Sequence, residues 1–196
     1  MLYRIKDKPR QGWGGGSVRK VIASIMVVTF VLAAHYSTAS TAGKPPDVSG
    51  WESLKWGMTG DEVKAASGKD LKVHKPREDS EENAYSDIEL SELEIGGVPL
   101  RASLWMDSGT KTLRKIVFVP KDAAEGFGWA ETFIKLEESL ASKYGPPDVE
   151  NTSNDPGTSA DRKWHFPSTD IELSYLRLDG TEMLLLIFSG KDEEEG

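Results

Sequence analysis

Two histidines stand downstream of residue 42, His74 and His165, and neither has a second histidine at helical spacing, so no zinc-ligating pair is encoded there. Either ring becomes a general base if it is buried beside a carboxylate, but a lone histidine on a strand is more often a surface residue. The sequence contains no cysteine. That removes thiol catalysis, disulfides, cysteine-ligated metal and a lipid-modified cysteine after a leader. No Gly-x-Ser-x-Gly elbow is present, and the one glycine-rich run, residues 12–16, does not join a strand to a helix and is no phosphate cradle. Carboxylates are plentiful, but Glu137 with Glu138 falls on the expected solvated side of a helix, and Glu81 with Glu82 falls in a polar stretch. Asp148, Glu150 and Asp155 lack the spacing of a twelve-residue calcium loop. The chemistry expected from these residues is therefore binding without catalysis, with no catalytic residue, metal or cofactor assigned. Two alternatives stay open. One is a hydrolase or lyase that pairs His165 with a carboxylate distant in sequence, and the other is a cleft between helices and sheet that holds a lipid or small apolar ligand.

The remaining unusual feature is aromatic. Trp51, Trp56, Trp105, Trp129 and Trp164 lie in the last three-quarters of the chain, where core filling is the simplest use of such rings in a domain without cross-links. Trp105 differs, because its phase opposes that of Leu100, Ala102, Leu104 and Met106. If helices cover the Leu104 side, Trp105, Arg101 and Ser103 point to solvent or to a partner, and Trp with Arg is a pairing enriched at binding hot spots. The same open face is expected to receive Arg114 and, from the C-terminal half, Lys163 and His165. The candidate binding residues are thus Trp105, Arg101, Ser103, Arg114 and His165.

The compartment is suggested by residues 21–34, a fourteen-residue apolar run preceded by Arg19 and Lys20. A basic segment followed by an apolar stretch of this length has the form of an export signal. The small-x-small triplets ending at Ala39 and Ala42 offer cleavage sites. The run is shorter than the roughly 20 residues that span a bilayer core, which favours cleavage over a retained anchor. The expected address is a bacterial periplasm or the exterior, with membrane contact only through an uncleaved leader. The whole chain carries a net charge of −8; without the first 42 residues, which hold six basic and one acidic side chain, 18 basic residues face 31 acidic ones, a net of −13. A nucleic-acid partner is excluded on that balance, since no basic cluster with interleaved aromatics offsets it.

The elements follow from local pattern. Residues 1–42 are expected as the signal, 43–50 as a linker, 51–190 as one α+β domain and 191–196 as an acidic tail. Thr59-Gly-Asp-Glu62 is a capping box, with Met58 and Val63 as a hydrophobic staple and Gly68 as a stop, which predicts a helix over 60–67. A short strand over 71–75 and a loop over 76–83 follow. Residues 85–95 alternate with one phase slip near Ser91, which predicts a bulge. Gly96-Gly97 turns the chain into a strand carrying Leu100 to Met106, and Asp107-Ser-Gly109 turns it again into a strand over 112–119. Residues 127–144 recur in apolar character at three and four residue steps and predict the long helix, ended by Gly145-Pro146-Pro147. Strands over 162–166, 170–178 and 181–188 complete the domain, the last two joined by Asp179-Gly180. The last strand is apolar on both faces and is expected to be central and covered on each side. The expected fold is α+β, an antiparallel sheet with two helices packed on one face, in the order α-β-β-β-β-α-β-β-β.

Trp56-Gly57-Met58-Thr59 before Asp61-Glu62-Val63, together with Lys143-Tyr144-Gly145-Pro146-Pro147, resembles the helix-opening and helix-ending segments of small exported bacterial α+β domains. More remotely it is similar to β-lactamase inhibitor protein and to outer-membrane assembly lipoproteins of the SmpA/OmlA type. The resemblance implies helices on an antiparallel sheet whose other face binds a protein or peptide partner in the cell envelope, and it implies no catalytic residue. The missing lipidated cysteine separates this chain from the lipoprotein branch.

Overall fold

Period-two alternation in most of eight segments builds an antiparallel sheet, and two segments with helical spacing supply the helices. A computed structural model describes residues 43–68, 71–121, 128–154 and 157–191. The expected leader with its cleavage positions Ala39 and Ala42, residue Phe127, Asp155 and residues 192–196 lie outside the described residues. The elements run β1 (Gly50–Trp51), β2 (Leu54–Lys55), α1 (Gly60–Ser67), β3 (Leu71–Asp79), β4 (Ala84–Ile95), β5 (Val98–Asp107), β6 (Leu113–Pro120), α2 (Trp129–Tyr144), β7 (Val149–Ser153), β8 (Thr158–His165), β9 (Thr169–Leu178) and β10 (Thr181–Gly190). β1 and β2 pair with each other, and the other eight strands form one sheet in the order β3-β4-β5-β6-β10-β9-β8-β7. All of its pairings are antiparallel.

The α+β class and the antiparallel sheet with two helices match expectation, while the element order gains the β1–β2 pair and β7. β3 runs on through Pro76 to Asp79, where a loop was expected, because β4 continues to offer it a partner across an irregularity between Val73 and Arg77. β7 shows no apolar alternation; it is held by its register with β8 from Val149 opposite Lys163 to Ser153 opposite Ser159. The slip near Ser91 is a bulge between Leu90 and Leu93, and a further irregularity falls between Tyr85 and Ile88.

The capping box forms as its spacing requires. The Glu62 backbone N–H donates to Thr59 Oγ1 at 3.4 Å and the Thr59 N–H donates to Glu62 Oε2 at 2.8 Å, while Gly68 ends α1 at φ 59°. α2 buries Phe133, Leu136, Leu140 and Tyr144 and stops at Gly145, whose carbonyl accepts from the Trp164 indole at 2.8 Å. At the β4–β5 turn, Gly96 lies so close under α2 that a Cβ would meet Ser139 Cβ at 2.8 Å.

One core joins these parts. Leu100, Ala102, Leu104 and Met106 of β5, Ile116 and Phe118 of β6, Leu186 and Phe188 of β10, Ile171 and Leu173 of β9 and Trp164 of β8 are buried together with α2 and with Val63 of α1. Phe118 contacts Trp51 and Phe188 edge-on at 5.0 and 5.6 Å, and Tyr144 contacts Phe166 and Phe188 at 6.0 Å each. Each such ring removes about 150–250 Å² from water, a gross stabilisation of ~4–6 kcal/mol before conformational entropy is charged. β10 is central, as expected, but among the described residues its second row is only partly covered. Leu184, Leu186 and Phe188 are buried, while Leu185 and Ile187 are half-buried and Met183 is exposed.

The expected linker makes specific contacts with the body. Asp47 accepts from the Ser168 backbone N–H at 2.9 Å and from its hydroxyl at 2.6 Å. Thr169 Oγ1 donates to the Val48 carbonyl and accepts from the Trp56 indole at 2.7 Å. Lys44 pairs with Asp148.

Among the described residues, Ser86 Oγ is the buried side-chain polar atom without a hydrogen-bond partner. It lies within the Tyr85–Ile88 irregularity of β4 and opposite Arg77, where the β3–β4 pairing also shifts. An unsatisfied buried hydroxyl costs about 1–3 kcal/mol. Ser86→Ala is therefore expected to raise stability to urea by about 1 kcal/mol at unchanged m-value; a fall in the urea midpoint would show the hydroxyl to be engaged.

Candidate functional site

The face of the sheet opposite α2 follows directly from strand register. One row runs Trp105, Lys115, Ser189, Asp170, His165 across β5, β6, β10, β9 and β8. The next runs Lys72, Glu89, Ser103, Val117, Ile187, Glu172, Lys163 across seven strands. A third holds Arg101 opposite Val119 and, from β10 onward, Leu185 opposite Ser174 opposite Asp161. Since residues paired across an antiparallel ladder share a face, all of these side chains stand on one surface.

Three of the expected binding residues meet here. Arg101 is exposed, and it makes no ion pair among the described residues; Ser103 and Trp105 are half-buried. The Trp105 ring lies under two cations, with Arg77 Cζ at 5.8 Å and Lys115 Nζ at 5.3 Å from its centroid. Arg77 also donates to Ser103 Oγ at 3.0 Å, and Lys115 pairs with Glu82. Two cations over its ring restrict the Trp105 rotamer and pre-order the half-buried side chain for contact.

Arg114 does not join this group. The register slips between Trp105 and Met106, so that Lys115 stands opposite Trp105 and Leu113 opposite Met106. Arg114 is the extra residue of this bulge. It is turned to Asp107 at 3.5 Å and to the Glu82 carbonyl at 3.0 Å. It lines a groove of about 670 Å³ with Lys55, Trp56 and Lys191.

His165 shares the face and the row of Trp105, but four strand spacings of about 4.8 Å put the two roughly 19 Å apart. They form one surface and not one site. His165 Nδ1 contacts Asp170 Oδ1 at 2.7 Å, and the same oxygen is 3.0 Å from Lys191 Nζ. The imidazole side chain is 47% exposed, so its pair with Asp170 is screened by water. Lys163 is likewise spent on Glu172 at 3.3 Å.

Sequence reasoning missed the apolar part of the face. Val117, Val119, Leu185 and Ile187 are half-buried along β6 and β10, and Leu176, Leu178 and Met183 are exposed by 38, 41 and 46% at the β9–β10 hairpin. The signal was available in phase: Leu176 and Leu178 occur in the Asp170, Glu172, Ser174 phase of β9, where polar residues would suit a solvated face. Glu137 was also misplaced. It is not simply solvated but accepts from Arg162 Nε at 2.5 Å, and the guanidinium lies 5.4 Å from the Phe133 ring. This pair ties α2 to β8 on the covered side.

Two carboxylates hold the strap of residues 43–50. Hydrogen bonds from the Ser168 hydroxyl and then its backbone N–H keep Asp47 below the usual aspartate value. The His165 N–H and then Lys44 do the same for Asp148. At Asp170 burial works the other way, but hydrogen bonds from His165 and Lys191 keep it low as well. Among the described residues no three acidic or histidine side chains are grouped as metal ligands, and Asp148 is engaged by Lys44 and the His165 N–H.

Comparisons with protein-family models, with curated protein sequences and with solved structures return no match to this chain.

The depressed strap carboxylates fix a pH dependence. A carboxyl group whose native value lies below its unfolded value stabilises the fold above the unfolded value and loses that contribution as pH falls through the native one. Melting temperature is expected to drop below about pH 4, and the drop should be smaller in Asp47→Asn and in Asp148→Asn. Thermal scans from pH 7 to 2 check this, and identical acid slopes in all three proteins would remove the strap from the account.

Proposed function

We propose that this chain is a non-enzymatic exported domain of the bacterial cell envelope that binds a protein or peptide partner through the open face of its sheet around Trp105. The observation that carries it is the row of side chains facing away from α2: a half-buried tryptophan braced by Arg77 and Lys115 beside an apolar band that ends in exposed Leu176 and Met183. Contiguous apolar surface rimmed by charge is what protein interfaces use, and Trp with Arg concentrates their energy. Among the described residues α2 packs on the other side of the sheet, against β9, β10 and β5. Export is supported by the basic-then-apolar segment up to residue 34. The high acidic excess of the body favours a partner with a neutral or basic surface and keeps the domain soluble.

A hydrolase or lyase built on His165 was expected to use a carboxylate distant in sequence, whereas the acid that His165 contacts, at 2.7 Å, is Asp170, five residues on. This reading stands second because Asp170 is shared with Lys191 and the imidazole is open to water, so the pair lacks the dry surroundings in which a base is strengthened.

Affinity capture from the native envelope tests the leading function. Trp105→Ala is expected to weaken recovery of the specific partner at least about tenfold, the loss of one hot spot, with the melting temperature changed little. Retention of every captured partner by the folded variant would remove Trp105 from the interface.

A further inference from the structure

β10 stops where another segment takes its place beside β6. The register that sets Ser189 opposite Lys115 would bring Lys191 opposite Leu113. But the Leu113 N–H donates to the Met58 carbonyl at 2.7 Å, and the Leu113 carbonyl accepts from the Gly57 N–H at 2.9 Å. An extension of β10 therefore finds no backbone partner on β6, and the ladder ends at Lys191, whose N–H donates to the Ser168 carbonyl at 3.1 Å. The Trp56 ring covers Gly190 so closely that a Cβ there would stand 2.8 Å from its Cγ.

At this exit lies the groove of about 670 Å³, whose charged lining is Lys55, Arg114 and Lys191 against Asp107. Part of that charge is met within the fold, since Arg114 is 3.5 Å from Asp107 and Lys191 is 3.0 Å from Asp170. Hydrogen-bond donors are nevertheless in excess. Both described contacts of Arg114, to Asp107 and to the Glu82 carbonyl, run through Nη1, and a guanidinium has N–H donors on all three of its nitrogens. The Lys55 ammonium reaches the Ser49 hydroxyl at 3.3 Å, and among the described residues it meets no carboxylate. Such a lining suits a ligand rich in acceptors and negative charge, in a domain where 18 basic residues otherwise face 31 acidic ones.

The sequence supplies that chemistry at the rim of the groove. Asp192-Glu193-Glu194-Glu195 follows Lys191 directly and lies outside the described residues. Ionised carboxylates only accept hydrogen bonds. Four residues reach up to about 14 Å, and attachment at Lys191 gives them a local concentration on the order of millimolar.

We infer that the groove is a binding site for an acidic peptide segment and that its resident occupant is residues 192–195 of this chain. Their carboxylates take the open donors of Arg114 and Lys55, so an acidic segment of another protein enters only by displacing them. The site stands apart from the reading of the sheet face around Trp105 and does not depend on it.

The Trp56 indole N–H, in the groove lining, reports occupancy as one nitrogen–proton NMR signal, located by its loss in Trp56→Phe. In the full chain as the cell matures it, Asp192→Asn, Glu193→Gln, Glu194→Gln and Glu195→Gln together are expected to shift that signal. About 1 M salt, where the screening length is ~3 Å, should move the wild-type signal toward the same position. A free peptide of sequence Asp-Glu-Glu-Glu-Gly, with blocked ends, is expected to bind the neutral-tail variant at least about tenfold more tightly than the wild type, because it no longer competes with a tethered segment. Adding Lys55→Glu, at an exposed position, should weaken that binding at least about tenfold, since a like charge then meets the peptide. Circular dichroism melting of every variant keeps folding separate from binding. An indole signal unmoved by neutralising the tail, with equal peptide affinity in the two chains, overturns residues 192–195 as occupant while leaving the groove as an acidic-peptide site. A peptide that binds neither chain, or that binds as well after Lys55→Glu, overturns the site itself.

Discussion

The constraint on which the structure depends is that, among the described residues, helix α2 packs on one face of the sheet. With no cysteine to cross-link the chain, stability comes from a single core in which α2 lies on β9, β10 and β5. The rows Leu100 to Met106, Leu184 to Phe188 and Ile171 to Tyr175 are in phase with one another because register ties each to its neighbour. A slip of one residue anywhere would carry Trp105, Ile187 or Glu172 inward and expel Leu104, Phe188 or Leu173. The bulge at Arg114 and the irregularities in β4 absorb the length mismatches that would otherwise force such a slip.

The strap of residues 43–50 extends the same economy to the end of the sheet. Val48 packs on the core, its carbonyl holds Thr169, and Thr169 holds the Trp56 indole. Asp47 caps the turn at Ser168, between β8 and β9. Each bond is modest alone, about 1 kcal/mol net. Their value lies in tying three backbone segments together where they converge, with the Thr169 bonds part-buried and those of Asp47 exposed.

Legibility in the sequence tracked the size of the local signal. The capping box at Thr59, the turns at Gly96-Gly97 and Asp179-Gly180, and the stop at Gly145 were readable because each needs particular residue types within four positions. α2 was readable because five apolar positions share one helical face. β7 was not, since Val149–Ser153 has an exposed, polar sequence and exists only through its register with β8. The phase of Trp105 was visible, and so was its separation from the buried set. Arg77 and Lys115 as its companions were not, because their proximity depends on the β3–β4 irregularity and on the bulge that moves Arg114 aside. The apolar band on the open face was hidden by a sound rule wrongly applied. A strand apolar on both sides is normally covered on both sides, whereas in β10 the second apolar row is left half-buried.

That uncovered row gains meaning from how the edges of the same sheet are protected. β3, at one edge, carries Lys72, Lys75, Pro76 and Arg77, and its pairing is irregular between Val73 and Arg77. Charged side chains and a proline on an edge strand discourage further strands from adding there. β7, at the other edge, is five residues long, with its last four residues exposed, and lacks an apolar pattern to guide pairing. Growth of the sheet sideways is therefore obstructed at both ends, and the apolar side chains left unpaired lie on the face. Edge protection with an open face is the arrangement expected of a domain that associates through side chains and not through backbone hydrogen bonds. Such contacts read shape and charge, and on this surface a strip of Val117, Val119, Leu185 and Ile187 runs between flanks that carry charges of both signs.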